Sequence, residues 1–353
     1  MKNKNQERKE LIITEKINHK FKHPFKKYTV KNENGYSFSC INFGAALTSI
    51  TMPDKEGRWS NILLQFYSFE DVFQDQTYFF GKAIGRVAGR IKNSCVEMKG
   101  KSYYLPQNEG SHTLHGGSNG FHNLWWKTKK LENGIQFYRL IQEEEDGFPG
   151  TINTSIQYYW GKDNQLHIEF TGVNVSSTPT LFNPTIHSYF NLNSDFTLGL
   201  QDHELVIHGN KIAELQEDNI PTGKILNVEN TSFDFRKGCS LEQMLTDIKQ
   251  RGLAGYDHPF CVSGQEIAIL RNIKNGRQMK LYSDRNALVV YTLNHVEPSK
   301  LVNQGIHLIP HMGVALEPQT LPDAIHHSEF GNIILPNQSS QSYHIIYDLS
   351  IAS

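Results

Sequence analysis

The clearest indication of the fold of this chain is the stretch Thr151-Ile152-Asn153-Thr154-Ser155-Ile156-Gln157-Tyr158-Tyr159-Trp160. Its larger and more apolar side chains recur at every second position, beginning with Ile152. Successive side chains of a β-strand point to opposite faces of the sheet, so this period of two predicts a strand with one buried face. A second run with the same period, at 165–175, follows after a short polar gap and predicts the neighbouring antiparallel strand.

Short alternating runs of the same kind continue on both sides of this pair, separated by glycine, proline, asparagine and aspartate, which favour turns. The acidic run at 143–150 is predicted to be a solvent-exposed hairpin tip. Helical spacing is limited to the short segments 68–74 and 240–250. We therefore predict an all-β fold, a large antiparallel β-sandwich with few short helices. Residues 1–24 are predicted to form a basic lead-in, and residues 25–353 a single domain.

Composition excludes several classes of protein. The chain has 353 residues, 38% of them hydrophobic and 20% charged, so a sizeable core is expected and general disorder is not. A formal net charge of −1 does not favour nucleic acid or a membrane surface as the partner. The four cysteines lie far apart without a CxxC pair, and this spacing predicts neither a zinc site nor a disulfide framework. With no apolar signal segment, we expect a cytoplasmic protein.

The strongest candidate for chemistry is a histidine in the segment 183–192, which contains hydroxyl, amide and aromatic side chains around His187. Imidazole has an ordinary pKa of roughly 6.5, so it can give or take a proton near neutral pH. The alternative is a hydrogen-bonded core histidine, a reading that carries weight in a chain with 16 histidines. A residue at the end of a strand can be aimed into a cleft, and this placement favours the chemical reading.

Other polar residues are candidates to line the same cleft. Arg86 and Arg90 lie in a glycine-rich run, where they are either surface residues or a fixed fork of donors for a substrate hydroxyl. His115 precedes two glycines that permit close approach of a ligand, and no third metal ligand lies near it in the sequence. Asp257 follows a tyrosine in a turn, and Glu317 ends an apolar run. Taken alone, these two carboxylates could equally be a turn residue and a surface strand end.

Taken together, these segments resemble the aldose 1-epimerase (galactose mutarotase) family over nearly the whole chain, from about Phe38 to Asp348. The order and spacing of the segments make the resemblance specific, although each is weak alone. They are Gly85-Arg86-Val87-Ala88-Gly89-Arg90-Ile91, Leu114-His115-Gly116-Gly117, Gly120-Phe121, Trp126, His187-Ser188-Tyr189-Phe190-Asn191-Leu192, Ile220-Pro221-Thr222-Gly223, Gly255-Tyr256-Asp257-His258, Leu316-Glu317-Pro318-Gln319 and Pro322-Asp323.

The resemblance implies a β-supersandwich that interconverts the α and β anomers of free hexoses such as galactose and glucose, with no cofactor or metal. By motif position it implies Glu317 as general base and His187 as general acid. It implies that a group of three residues binds and orients the sugar, namely Arg90, His115 and Asp257. We expect Glu317 to be ionised at neutral pH unless burial raises its pKa, and a nearby carboxylate to favour the protonated form of His187.

The sequence departs from the family pattern at three positions, Gly89, Ile186 and Val289, where many or some members have asparagine or glutamine. These departures bear on the choice of sugar. The expected partner is a small-molecule aldose, and the expected assembly is a monomer or a homodimer.

Three other functions stay open from the residues. A glycoside hydrolase would use two carboxylates such as Asp257 and Glu317, and would give His187 no necessary role. A mutarotase acting on hexose 6-phosphates would need basic residues converging on the cleft beyond Arg86 and Arg90. A carbohydrate-binding sandwich would hold the sugar without turnover.

Overall fold

The computed structural model describes residues 12–17, 21 and 23–352. Its largest layer, here the large sheet, has nine antiparallel strands. The stretch that predicts the fold lies inside it, and its buried residues alternate along Ile152–Trp160 as expected. In spatial order the strands are Lys127–Lys130, Gly134–Ile141, Ile152–Trp160, Gln165–Asn174, Ser340–Ile351, Arg277–Ser283, Glu266–Asn272, His203–Ile207 and Cys239–Ser240.

A second layer, here the site sheet, has six antiparallel strands and carries Asp257 and Glu317. All six residues of its strand Val314–Gln319 are buried, as expected for a strand with neighbours on both sides and layers above and below. In spatial order its strands are Tyr189–Phe190, Val314–Gln319, Ala287–Tyr291, Asp257–Cys261, Lys211–Leu215 and Pro221–Asn227.

A third layer, the N-terminal sheet, has five strands in sequence order: Ile12–Ile17, Phe25–Lys31, Ser37–Ile41, Leu47–Pro53 and Trp59–Asn61. The predicted basic lead-in at 1–24 falls largely outside the described residues. Within the described part, Ile12–Ile17 pairs with Phe25–Lys31 as the edge strand.

One hydrophobic core joins the three sheets. Phe38 of the N-terminal sheet contacts Trp160 of the large sheet, with 5.6 Å between ring centroids. On the other side, Phe190 of the site sheet meets Tyr347 of the large sheet at 5.0 Å. One buried hydroxyl of the large sheet finds a partner across the layers, since the Tyr158 hydroxyl donates to the Ala45 carbonyl at 2.7 Å. The predicted antiparallel β-sandwich is therefore confirmed.

Helices are short and few in the described part of the chain. Both predicted helical segments are confirmed as Phe69–Gln74 and Leu241–Gln250, capped by Ser68 and Ser240. A third helix is Glu143–Asp146, and single 3₁₀ turns are Lys92–Ser94, Phe121–Asn123, Phe196–Leu198 and Ser328–Phe330. No helix among the described residues has the length and apolar character needed to cross a membrane.

Five two-stranded ribbons complete the fold in the part of the chain that the structure describes. Two of them fix site residues: Arg90–Ile91 pairs with Thr113–Leu114, and Ala83–Ile84 pairs with Thr185–Ile186. The other three are Cys95–Met98 with Lys101–Tyr104, Thr180–Leu181 with Ile334–Leu335, and Leu301–Val302 with Ile306–His307.

The prediction that the acidic run at 143–150 is a solvent-exposed hairpin tip is wrong for most of the run, since only Glu143 and Glu144 are exposed while Asp146 and residues 148–150 are buried. Asp146 is 1% exposed and forms an ion pair with Arg86, which is 0% exposed. The guanidinium Nε and Nη2 donate to the two carboxylate oxygens at 2.7 and 2.9 Å. Its Nη1 also donates to Gly150 O and to Thr180 Oγ1. The pair ties the helix Glu143–Asp146 to the glycine-rich run, so Arg86 is neither a surface arginine nor a cleft residue.

Buried histidines make the fold sensitive to acid. The ring of His203 accepts from the Leu192 N–H at 2.8 Å and lies 2.8 Å from the Gln201 carbonyl through its other nitrogen. Burial lowers the pKa of His203 from 6.5 to about 4. Between these values the unfolded chain binds a proton that the folded chain does not, so stability falls as the pH falls through this window.

We expect the free energy of unfolding of the His203→Gln variant to depend less on pH than that of the wild type. Glutamine can keep both hydrogen bonds but cannot be protonated. As the pH falls from 6.5 to about 4, the free energy of unfolding of the wild type should therefore decrease relative to that of the variant, by up to roughly 1.4 kcal/mol per pH unit. Urea denaturation at several pH values measures this difference. A gap that stays constant over the window would contradict the buried neutral histidine.

Candidate active site

A cavity of about 810 Å³ opens on one face of the site sheet. Strand register places its floor residues side by side, because Val289 pairs with Glu317 on one neighbouring strand and with Pro259 on the other. Tyr291 and Asp257, two positions along their strands, also pair and point to the same face. All five residues line the cavity.

Glu317 lies in the middle of the strand Val314–Gln319, and its side chain is 2% exposed. The alternative of a surface strand end is therefore wrong, since the strand continues with buried residues on both sides of the carboxylate. Within the described chain, Glu317 Oε2 has no hydrogen-bond partner. A buried acceptor without a protein partner is costly unless a ligand or water satisfies it, so this oxygen marks a place for a donor.

His187 directly follows the ribbon strand Thr185–Ile186, as the strand-end prediction requires. Its N–H donates to the Lys82 carbonyl at 3.0 Å, and its carbonyl accepts from the Gly81 N–H at 2.9 Å. The imidazole Nε2 lies 3.3 Å from Glu317 Oε1. Tyr189, two residues on, stacks against the imidazole at 4.9 Å between centroids. The backbone bonds and the stacked ring hold the imidazole beside the carboxyl group.

Burial shifts both members of this pair towards their neutral forms. It raises the pKa of Glu317 well above its usual range, and the charge of Asp257 raises it further, while Arg90 opposes the shift. Burial lowers the pKa of His187 to about 3. The expectation that a nearby carboxylate favours the protonated imidazole is therefore wrong for the free protein. Loss of hydration is the largest cause of both shifts, so a proton held by the pair is favoured on the carboxyl group.

His115 lies beside the pair, with 5.3 Å between its ring centroid and that of His187. Its backbone N–H donates to the Gly89 carbonyl at 3.0 Å, and its Nδ1 accepts from the Gly89 N–H at 3.3 Å. Burial lowers the pKa of His115 well below its usual range, and the charges of His187 and Arg90 lower it further. Because Nδ1 accepts, a neutral His115 carries its proton on Nε2 and can offer one donor to a ligand.

Arg90 and Asp257 close the far side of the cavity. The guanidinium of Arg90 donates through Nε and Nη2 to the Glu109 carboxylate at 2.6 and 2.9 Å, which fixes its plane. Asp257 begins its strand and is not a simple turn carboxylate. Burial raises the pKa of Asp257, and the charge of Arg90 opposes that shift. The structure thus brings all five predicted site residues to one cavity.

The three departures from the family pattern have different settings. Ile186 is fully buried in the core, and no side chain at this position reaches the cavity without leaving that core. Gly89 has a φ of +72°, a region that glycine and asparagine tolerate best, and it lines the cavity. Val289 lies in the cavity floor opposite Glu317, so an apolar surface replaces an amide there.

Sequence reasoning missed several residues of the cavity. Tyr189 and Gln319 follow His187 and Glu317 by two positions, and the strand period could have identified them as cavity residues. Glu109 and Phe79 have no such signal, because they meet the site only through the tertiary fold. Among the described residues, no cluster of three or more histidine, cysteine or acidic side chains is arranged to hold a metal ion.

Comparison with known proteins identifies the family of this chain. A family model described as aldose 1-epimerase matches residues 26–348. An aldose 1-epimerase of Streptococcus thermophilus is 36% identical, covering 90% of this chain and 92% of the relative. The galactose mutarotase of Homo sapiens is 32% identical, covering 88% and 90%. A maltose epimerase of Levilactobacillus brevis is 30% identical, covering 91% and 94%.

Solved structures show the same architecture. The crystal structure of an aldose epimerase homologue from C. elegans matches with a TM-score of 0.84 and 27% identity. The match covers 92% of this chain and 98% of that one. The fold, the family model and the relatives therefore agree over nearly the whole chain. The chain belongs to the aldose 1-epimerase family, a family of carbohydrate isomerases.

Proposed function

We propose that this protein interconverts the α and β anomers of free hexoses such as galactose and glucose, with Glu317 as general base and His187 as general acid. The observation that carries the proposal is the buried pair itself. A carboxyl group and an imidazole lie 3.3 Å apart in a cavity, and one carboxyl oxygen has no partner among the described residues. Ring opening needs these two groups, one to take a proton and one to give a proton.

Substrate binding prepares the pair for this work. A hydroxyl at C1 that donates to Glu317 Oε2 stabilises the ionised carboxylate, and so lowers its pKa. The proton is then favoured on His187 Nε2, which lies 3.3 Å from Glu317 Oε1. In the free site the proton is therefore on the carboxyl group of Glu317. Binding of the sugar shifts the protonation equilibrium towards an ionised Glu317 and a protonated His187.

The reaction then needs no other reagent. Glu317 accepts the proton of the C1 hydroxyl, and His187 delivers its proton to the ring oxygen as the bond from C1 to that oxygen breaks. The open aldehyde rotates about the C1–C2 bond. Closure reverses both transfers: the hydroxyl formed from the ring oxygen attacks the carbonyl, returns its proton to His187, and the new C1 hydroxyl takes a proton from Glu317.

Three further residues are proposed to bind and orient the sugar. Arg90 presents a guanidinium whose plane is fixed by Glu109. His115 presents a neutral ring, and Asp257 presents carboxyl oxygens to ring hydroxyls. Arg90 is the one arginine or lysine among the described residues that line the cavity. A single cation that is already paired favours neutral sugars over hexose phosphates, which need several donors of positive charge.

The size of the cavity favours reducing disaccharides as additional substrates. Its volume of about 810 Å³ approaches the upper end of the range for drug-sized ligands, roughly 300–1,000 Å³, and leaves space beyond one hexose. The name of the maltose epimerase relative describes such a substrate. Maltose therefore belongs in the substrate panel.

Polarimetry on freshly dissolved α-D-galactose, α-D-glucose and maltose tests the proposal. We expect the protein to speed the relaxation to the same final rotation that each sugar reaches alone. The methyl glycoside of each hexose is the matched control, because its blocked C1 oxygen has no proton for Glu317 and its rotation should stay constant. Release of hexose from the glycoside would instead identify a hydrolase, and tight binding without faster relaxation would identify a binding protein.

A further inference from the structure

A buried aspartate outside the cavity holds the turn that forms one cavity wall. Asp75 is 6% exposed and follows the helix Phe69–Gln74. Its Oδ1 accepts from the Thr77 and Tyr78 N–H groups at 3.0 and 2.8 Å, and its Oδ2 accepts from the Phe79 N–H at 2.7 Å. Three N–H bonds to one carboxylate fix the main chain of this turn, and the residues at 77–79 line the cavity.

Lys82 closes the turn on both sides. The Lys82 side chain is 1% exposed. Its ammonium group lies 3.4 Å from Asp75 Oδ2 and donates to the Asp75 carbonyl at 3.0 Å. The backbone N–H of Lys82 donates to the Phe79 carbonyl at 2.9 Å. The Lys82 carbonyl in turn accepts the His187 N–H. One continuous set of contacts therefore runs from Asp75 through Lys82 to the main chain of His187.

The same set of contacts holds a ring against the histidines of the cavity. The Phe79 centroid lies 5.1 Å from that of His115, 4.9 Å from that of His122 and 5.9 Å from that of His187. Phe79 has a φ of +55°, which is strained for a bulky residue and persists only where the surroundings impose it. The three N–H bonds to Asp75 and the turn closed by Lys82 are those surroundings.

We propose that Phe79 is a positioning residue for His187, and that Asp75 with Lys82 holds Phe79 against the imidazole so that the ring stays oriented and shielded from water. This inference rests on the proposed function for its consequence in catalysis. Asp75 and Lys82 touch no substrate in this account, because neither of them lines the cavity. They act through Phe79 and through the hydrogen bond that the Lys82 carbonyl accepts from the His187 N–H.

Several other titratable groups surround the imidazole of His187. Glu317 lies at 3.3 Å from its Nε2, Tyr189 stacks on one side, and His115 lies edge-on at 5.3 Å between centroids. Asp257 and Arg90 lie further across the cavity, and His122 lies behind Phe79. Burial is the main cause that lowers the pKa of His187 to about 3, so removing part of that burial should raise it.

The test replaces Phe79 by leucine, which keeps an apolar side chain but removes the flat ring. Histidine side-chain NMR follows the protonation of His187 in the intact protein with no need for turnover. We expect its pKa to rise by at least about one unit, because water gains access to the ring. In polarimetry we expect kcat for α-D-galactose to fall roughly tenfold or more with little change in KM, because the acid is less well oriented.

Two further variants keep the test sharp. The double variant Asp75→Asn/Lys82→Met removes the ion pair without leaving a buried charge, and should raise the pKa of His187 in the same direction. Phe170→Leu removes a fully buried ring from the large sheet and is the matched control, with no expected effect on His187. An unchanged His187 pKa in Phe79→Leu would overturn the proposal, and an unchanged pKa in the double variant alone would overturn the part assigned to Asp75 and Lys82. A wild type that does not speed mutarotation would refute the proposed function, while the NMR result would still decide this inference.

Discussion

The Glu317→Gln variant is expected to fold normally and to interconvert the anomers of galactose about 10²–10⁴-fold more slowly than the wild type. The amide has the shape of the carboxyl group but cannot accept the C1 proton. Since burial already favours the neutral carboxyl group, a neutral amide should be tolerated in the strand Val314–Gln319. Initial rates by polarimetry, at sugar concentrations well above KM, measure the loss in kcat.

Glu217→Gln is the matched control for this variant. Glu217 is an exposed residue at the rim of the same cavity, so the same chemical change there should leave the rate within about twofold, as expected for a surface substitution. A Glu317→Gln protein with circular dichroism and rates like those of the wild type would show that another group removes the C1 proton.

The largest expected loss of stability follows from breaking the buried ion pair between Arg86 and Asp146. Asp146→Asn leaves the Arg86 guanidinium 0% exposed with no countercharge, so we expect the free energy of unfolding to fall by about 3–5 kcal/mol. The loss should appear as a lower midpoint in urea denaturation, followed by tryptophan fluorescence. Activity per folded molecule should change little, because the pair lies outside the cavity.

The double variant Arg86→Met/Asp146→Leu controls for the orphaned charge. It should lose less stability than the sum of the two single variants, because neither partner is left charged and alone. A loss below about 1 kcal/mol in Asp146→Asn would contradict the assignment of this pair as a buried ionic tie.

Strand positions were predictable because their signal is local. The residues of Ile152–Trp160 alternate in the sequence, and their buried faces alternate in the structure in the same way. The order of the strands carries no such signal. The last strand, Ser340–Ile351, inserts between Gln165–Asn174 and Arg277–Ser283, and only the packing of distant segments decides that position.

The sequence predicted five residues that the structure places along one cavity, but it did not predict their charges. The motif pattern identified Glu317 and His187, which the structure brings within 3.3 Å of each other. The protonation of the pair depends on how deeply the surrounding sheets bury it, and residue types alone do not reveal that depth. The expectation of a protonated imidazole failed for this reason.

Local composition misled where a charged residue has a distant partner. The acidic run around Asp146 reads as a solvated tip, because four consecutive acids repel one another in water. Arg86 lies sixty residues earlier in the chain, and their contact exists only in the fold. Asp75 and Lys82 are a similar case. Neither residue belongs to a recognisable motif, and both are proposed to hold Phe79 without lining the cavity themselves.

Anomer exchange at chemical equilibrium measures the proposed reaction itself. Exchange NMR on galactose labelled at C1 reports the rate at which α and β forms interconvert, without any coupling enzyme or change in rotation. We predict fast exchange with catalytic amounts of wild-type protein, and exchange slower by at least about a hundredfold with Glu317→Gln and with His187→Gln. Exchange that stays at the uncatalysed rate for galactose, glucose and maltose with folded wild-type protein would contradict the proposed function. Fast exchange in both variants would show that Glu317 and His187 are not the catalytic base and acid.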